Sequence, residues 1–158
     1  MKNLEILAQT ILPICLHGVN PRTIMGKHSW DTVKKQTQQL ANNHCMICEK
    51  FVAHKPGDWL ECHEHYEFDC EQLEATLKCF VCICSDCHHF IHQGRLRCLV
   101  QEGKVSKTEC DRIIERGDSM LASAGLSKND LPNEYIMNPH WTLLYNGKRF
   151  AKLSSGVL

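Results

Sequence analysis

Cys45-Met-Ile-Cys48 and, further on, Cys84-Ser-Asp-Cys87-His88-His89-Phe-Ile-His92 are the stretches on which the reading of this chain turns. Two Cys-x2-Cys knuckles are the ligand spacing of a structural tetrahedral zinc site. A closed site of four thiolates needs no histidine. Yet the second knuckle runs straight into three, and Cys62-His63-Glu64-His65 lies between the knuckles. The surplus histidines are the clue to function. Cys79-x2-Cys82 has the same spacing and is a competing pair. Two features favour Cys84 and Cys87: the histidine helix starts directly after Cys87, and Cys82 suits a strand, where a thiol acts as a small apolar residue.

Working outward, 158 residues suit one domain, with at most a small appendage. At 43% hydrophobic and 23% charged residues, the chain belongs with ordinary soluble globular proteins rather than disordered ones. The first sixteen residues are apolar in part, but Glu5, Gln9 and Pro13 interrupt them and no basic region precedes an apolar run. No stretch approaches the roughly 20 apolar residues of a membrane span. Eleven cysteines, an odd number, then suggest metal ligands and small core residues in a reducing cytoplasm, against the alternative of a disulfide framework. Net charge is zero, so a nucleic-acid partner would need a local basic patch. Arg95, Arg97, Lys104 and Lys107 are candidates, as are Lys148, Arg149 and Lys152; a solvated charged surface is the plain alternative.

Residues 12–27 carry Pro13, Gly18, Pro21 and Gly26 and read as an irregular lead-in. Ser29 reads as the N-cap of a helix that presents Trp30, Val33, Thr37 and Leu40 and ends near Asn42-Asn43. His54-Lys-Pro-Gly-Asp58 is a turn between the short apolar pieces Phe51-Val52 and Trp59-Leu60, which predicts a hairpin. Residues 71–78 suit a short helix, and 80–83 a buried strand. Ser85 is expected to cap a helix through His92 that Gly94 stops. Ser106 and Glu109 form a capping box ahead of an apolar stripe ending at Gly125. Trp141 to Tyr145, Asn146-Gly147 and residues 148–152 read as a hairpin, with the accessory role of an appendage.

On a helix starting near Ser85, His88 and His92 share one face one turn apart, while His89 is turned about 100° away. In a strand over residues 60–68, Leu60, Cys62, Glu64, Tyr66 and Phe68 share one face; Glu61, His63, His65 and Glu67 share the other. A strand histidine against the helix pair makes a three-ligand site with open positions for water or a phosphate oxygen.

These motifs resemble the HNH nucleases with a zinc-bound ββα-metal core, over about residues 43–97. The resemblance is to the small free-standing HNH proteins of phages and bacteria; Asn20-Pro-Arg-Thr-Ile-Met-Gly26 and the tail 141–150 are also similar to theirs. It implies an α+β fold: an irregular lead-in at 1–28, a zinc-stapled HNH-like core at 29–105, and a C-terminal helix and β-hairpin at 106–158. It further implies a DNA-cutting phosphodiester hydrolase. Cys45, Cys48, Cys84 and Cys87 would hold structural zinc. His88 and His92 would hold a catalytic divalent metal such as magnesium, manganese or nickel. His63 and Glu64 would be the catalytic strand residues.

Two features depart from the family. The register of the strand motif has two readings: His63 is the base with Glu64 beside it, which is the preferred one, or His63 is a ligand and Glu64 the base. The central asparagine is missing, since none lies between Asn43 and Asn129, and Asp69 is the nearest polar substitute. A silent zinc module that binds protein or nucleic acid is therefore the second reading. A redox Cys-x2-Cys protein is the third, disfavoured because such motifs open a helix inside a βαβ pattern.

Overall fold

In the computed structural model, which describes residues 3–53 and 55–152, a four-stranded sheet is packed against helices. A short helix α1 (Leu4–Leu7) and a 3-10 turn (Ile14–Leu16) lead to α2 (Pro21–Ala41). The hairpin β1 (Glu61–Asp69) and β2 (Glu74–Ile83) follows, then α3 (Ser85–Ile91), α4 (Gln93–Gln101) and α5 (Lys107–Ser123). A turn of helix, α6 (Asn133–Ile136), precedes β3 (Thr142–Tyr145) and β4 (Lys148–Phe150). The sheet order is β1-β2-β3-β4, so β1 is an edge strand. No helix of the described residues is long and apolar enough to cross a membrane.

Several expectations change. The lead-in is not irregular throughout: α2 begins at Pro21, eight residues before Ser29, and runs across the expected boundary at residue 28. The Asn20 side chain caps it by accepting from the Thr23 N–H at 2.9 Å, and Pro21 occupies the first turn, where its missing N–H costs nothing. Gly26 does not end the helix. It takes φ 79°, ψ 166°, and the helix resumes beyond this kink. Residues 71–78 are not helical either. Asp69 Oδ1 accepts from the N–H groups of Glu71 and Gln72 at 2.9 Å, closing a tight turn, and β2 then starts at Glu74. The Thr76, Phe80, Val81 and Ile83 content of that run favours a strand.

The helix after the second knuckle stops at Ile91, because His92 leaves helical geometry at φ −98°, ψ 54°. Gly94 sits inside the next helix, α4, rather than ending α3. Around the 54–58 turn, the described residues show only an isolated bridge between Lys55 and Asp58, not a strand ladder; His54 itself lies outside the described residues. The Ser106 cap and the α5 helix form, with the Glu109 N–H donating to Ser106 Oγ at 3.1 Å and Gly125 at φ +67° beyond the end; the other half of the expected capping box does not, since the Glu109 carboxylate accepts from Arg112 instead.

The C-terminal hairpin forms, but it is no appendage. β3 lies parallel to the start of β2, pairing Glu74 with Thr142 and Thr76 with Leu144. Trp141 and Leu143 are fully buried there with Leu16, Tyr66 and Ala75. The other core joins α1, the knuckle residue Ile47, the end of β2, and α3 and α5 through Leu7, Ile83, Phe90, Ile91 and Leu121. Within it, Gly117 of α5 lies against the Phe90 ring; a Cβ at that position would overlap the ring. This close approach sets how α3, and with it the histidines, rests on the molecule.

Candidate metal centres

The first knuckle is shaped by a tight backbone turn after α2. The Cys45 N–H donates to the Lys50 carbonyl at 2.9 Å and the Glu49 N–H to the Cys45 carbonyl at 2.8 Å, with Glu49 at φ 63°. The Met46 N–H reaches the Cys82 carbonyl at 2.9 Å, which ties the knuckle to the end of β2. Cys84 stands at the junction where β2 ends and α3 starts, and Cys87 follows in the first turn of α3. The ligand atoms of Cys45, Cys48, Cys84 and Cys87 all lie within 4.8 Å of one another.

This donor set fits zinc. Bonds of about 2.3 Å directed to a tetrahedron put sulfurs about 3.8 Å apart; Cys48 Sγ and Cys84 Sγ are 3.7 Å apart. Crowding also shapes the thiols' acidity. Hydrogen bonding within the group, that to Cys45 first, holds the Cys48 thiol far below its ordinary range and pushes the Cys84 and Cys87 thiols above theirs, so the four share their protons as one unit. The four-cysteine group can therefore bind a metal such as zinc. The rival pair does not join it: Cys82 faces Cys62 across the β1–β2 ladder, and Cys79 is exposed on β2.

The second group is made of histidines. His88 and His92 are one turn apart on α3 and its end, with ring centroids separated by 4.7 Å. β1 lays His63 against them, at 5.5 Å from His88 and 5.1 Å from His92. The ligand atoms of all three lie within 4.8 Å of one another. His63 Nδ1 and His92 Nε2 are 3.3 Å apart. Metal–nitrogen bonds of about 2.0–2.1 Å in a tetrahedron imply a nitrogen separation of about 3.4 Å, so this group too fits a divalent cation. Burial is the leading cause that lowers the basicity of His63 and His92, His92 to about 4, which keeps their lone pairs unprotonated.

Of the remaining sequence candidates, His89 stays outside the trio, as its position around the helix implies. His65 also stays outside. Its Nδ1 meets Gln9 Oε1 at 2.8 Å instead. Glu64 lines an open cleft of about 700 Å³ together with His88 and His92. Burial raises its carboxyl above the usual range.

Two residues escaped the sequence reading as parts of the site. Glu61 Oε2 lies 2.9 Å from His88 Nδ1, a carboxylate orienting a ring whose other nitrogen is left for a ligand. Its signal was present, because Glu61 and His63 are two apart on one strand face. Gln9 gave no signal. Its Oε1 accepts from the Tyr66 N–H at 2.8 Å, which leaves its Nε2 3.4 Å from His63 Nε2. Lys128 Nζ donates to the Gln9 carbonyl at 2.7 Å and to the Ile91 carbonyl at 3.2 Å, pinning this N-terminal segment to α3.

No family model, curated protein or solved structure matches this chain.

Proposed function

We propose that this chain is a metal-dependent endonuclease of the HNH type, cutting DNA phosphodiester bonds, with one structural zinc on Cys45, Cys48, Cys84 and Cys87. The observation that carries the reading is the convergence of His63, His88 and His92 beside an open cleft, next to a separate four-cysteine group. A structural zinc site is closed by its four ligands; three imidazoles leave positions for water and substrate.

Burial favours one of the two strand registers. His63 is 3% exposed and has Gln9 against one ring nitrogen and His92 against the other. A base must reach a water, and His63 has no open side. Glu64 lines the cleft. His63 therefore joins His88 and His92 as a ligand, and Glu64 is the residue placed to take a proton from the attacking water. A divalent cation on the three histidines would supply the positive charge that stabilises the phosphate oxygens as the bond to phosphorus breaks. Glu61 holds the His88 ring in orientation. Asp69, closing the β1–β2 turn through two backbone N–H groups, does the loop-fixing work for which the family uses asparagine.

The missing asparagine is also what favours the second reading, a silent zinc module that binds protein or nucleic acid. A plasmid-nicking assay with magnesium, manganese or nickel separates the two. Wild-type protein should convert supercoiled plasmid to open circles, and Glu64→Gln should not. Zinc-loaded, folded protein that leaves plasmid intact with every metal would reject the nuclease and leave the silent module.

A further inference from the structure

The cleft beside the histidines has two cationic side chains, Arg22 and Arg95, that the chemistry above does not use. They come from different elements, the second residue of α2 and the third of α4. Helix stability does not explain either. The first turn of a helix favours acids and disfavours cations. Ion pairing does not explain them either. Lys27, Lys78, Lys104, Lys107, Arg112 and Arg149 each sit on a carboxylate. Arg22 and Arg95 make no such pair among the described residues, which is also true of Lys34, Lys35, Arg97 and Lys148; what sets these two apart is that they line one cleft with the Glu64 carboxylate and the histidines.

Arg22 is also held in place. Its guanidinium stands 5.7 Å from the centre of the Trp30 ring, and Trp30 is itself buried against the sheet, edge-on to Phe80. A cation–π contact of this kind favours a position of the guanidinium over the ring and leaves its N–H groups free for an anion. Ile11 and Leu12 supply an apolar wall to the same cleft. Two exposed guanidinium groups, an apolar wall and a histidine group at one cleft match an anion with apolar flanks, which describes a sugar–phosphate backbone.

We propose that Arg22 and Arg95 bind backbone phosphates of the nucleic acid at the histidine cleft, as substrate-positioning residues. The proposal rests on the nuclease reading for its substrate class. With a net charge of zero, the chain has no broad basic field, so these two contacts should carry much of the salt dependence of binding. The test is fluorescence anisotropy of a labelled DNA duplex with zinc-loaded protein, no further divalent metal, and a series of salt concentrations. Arg22→Ala and Arg95→Ala should each weaken binding about tenfold. Each should reduce the steepness of log affinity against log salt by about 0.9, the release expected for one phosphate. Arg22→Lys should keep the salt slope, because it keeps the charge. Arg97→Ala is the control: Arg97 is exposed on the same helix but lines a different hollow with Lys107 and Asp111. Tight wild-type binding that neither Ala variant alters, or an Arg97→Ala loss as large as theirs, overturns the clamp alone. Wild-type protein that binds no DNA at all overturns the clamp and the DNA-cutting reading together.

Discussion

The four-cysteine group takes two ligands from the start of α3 and the three-histidine group takes two from the turn that follows, and the two groups meet water differently. Cys45, Cys84 and Cys87 are no more than 2% exposed and have core residues such as Ile47 and Ile91 around them, with only Cys48 of the four half-buried. His88 and His92 are half-buried and open onto a cleft. Both groups have ligand atoms within 4.8 Å of one another, so proximity does not distinguish them. What does is donor chemistry and enclosure. Sulfur donors closed off by core favour a permanent cation that holds chain segments together. Imidazoles at a wet edge suit a cation that must admit substrate. The cysteine group joins the end of α2 to the β2–α3 junction, and the same junction launches the histidine helix. One site would then hold the frame for the other.

The largest expected effect breaks the cysteine side. Purified protein should carry about one zinc per chain, and chelation or Cys48→Ser should abolish cooperative thermal unfolding. Zinc binding in such sites is worth roughly 10–16 kcal/mol, which exceeds most domain stabilities. Well-folded protein with no zinc by metal analysis would remove the structural half of the comparison. On the histidine side, His63→Ala removes one of three ligands of the catalytic cation and should lower nicking by at least about 10- to 100-fold, the loss usual for a mere outer-shell partner, while the zinc content stays at wild-type level. Equal loss of zinc in that variant would mean the two groups are not separable.

Glu61→Gln sharpens the contrast. It should weaken binding of a second divalent cation by about 10- to 100-fold in a nickel titration, since a ligand ring loses its orienting carboxylate. The structural zinc should not respond. Gly117→Ala tests the link between the two groups through α3. The added methyl group meets the Phe90 ring, and overpacking of this kind costs about 1–3 kcal/mol, readable as a lower denaturant midpoint. The smallest effect is Ser106→Ala, which removes the α5 cap and should cost about 1 kcal/mol by the same measurement. Nicking should be unchanged in that variant, because the α5 cap touches neither group.

How far the chain's own order of residues reaches is clearest element by element. The two knuckles, the i, i+4 pair His88 and His92, the Ser106 cap and the Asn146-Gly147 turn were all legible, because each is set by spacing over a few residues. The start of α2 is masked for a local reason: Pro21 and Gly26 look like breakers, yet proline is at home in a first turn and the glycine is absorbed as a kink. Residues 71–78 carry a weak helical tendency that the turn held by Asp69 and the pairing of β2 with both β1 and β3 outweigh. The accessory status of the C-terminal hairpin fails for the same reason, since nothing local tells Leu143 that its partner is Ala75.

The histidine site divides along the same line. Its three ring donors could be named from the chain, because strand alternation and helical spacing are local rules. Their environment could not. That His63 is sealed between Gln9 and His92, that Glu64 faces the cleft, and that Arg22 comes from far upstream to line it with Arg95 all depend on contacts between distant segments. Periodicity assigns a side chain to a face of its own element; only packing decides what lies opposite that face and how much water remains there.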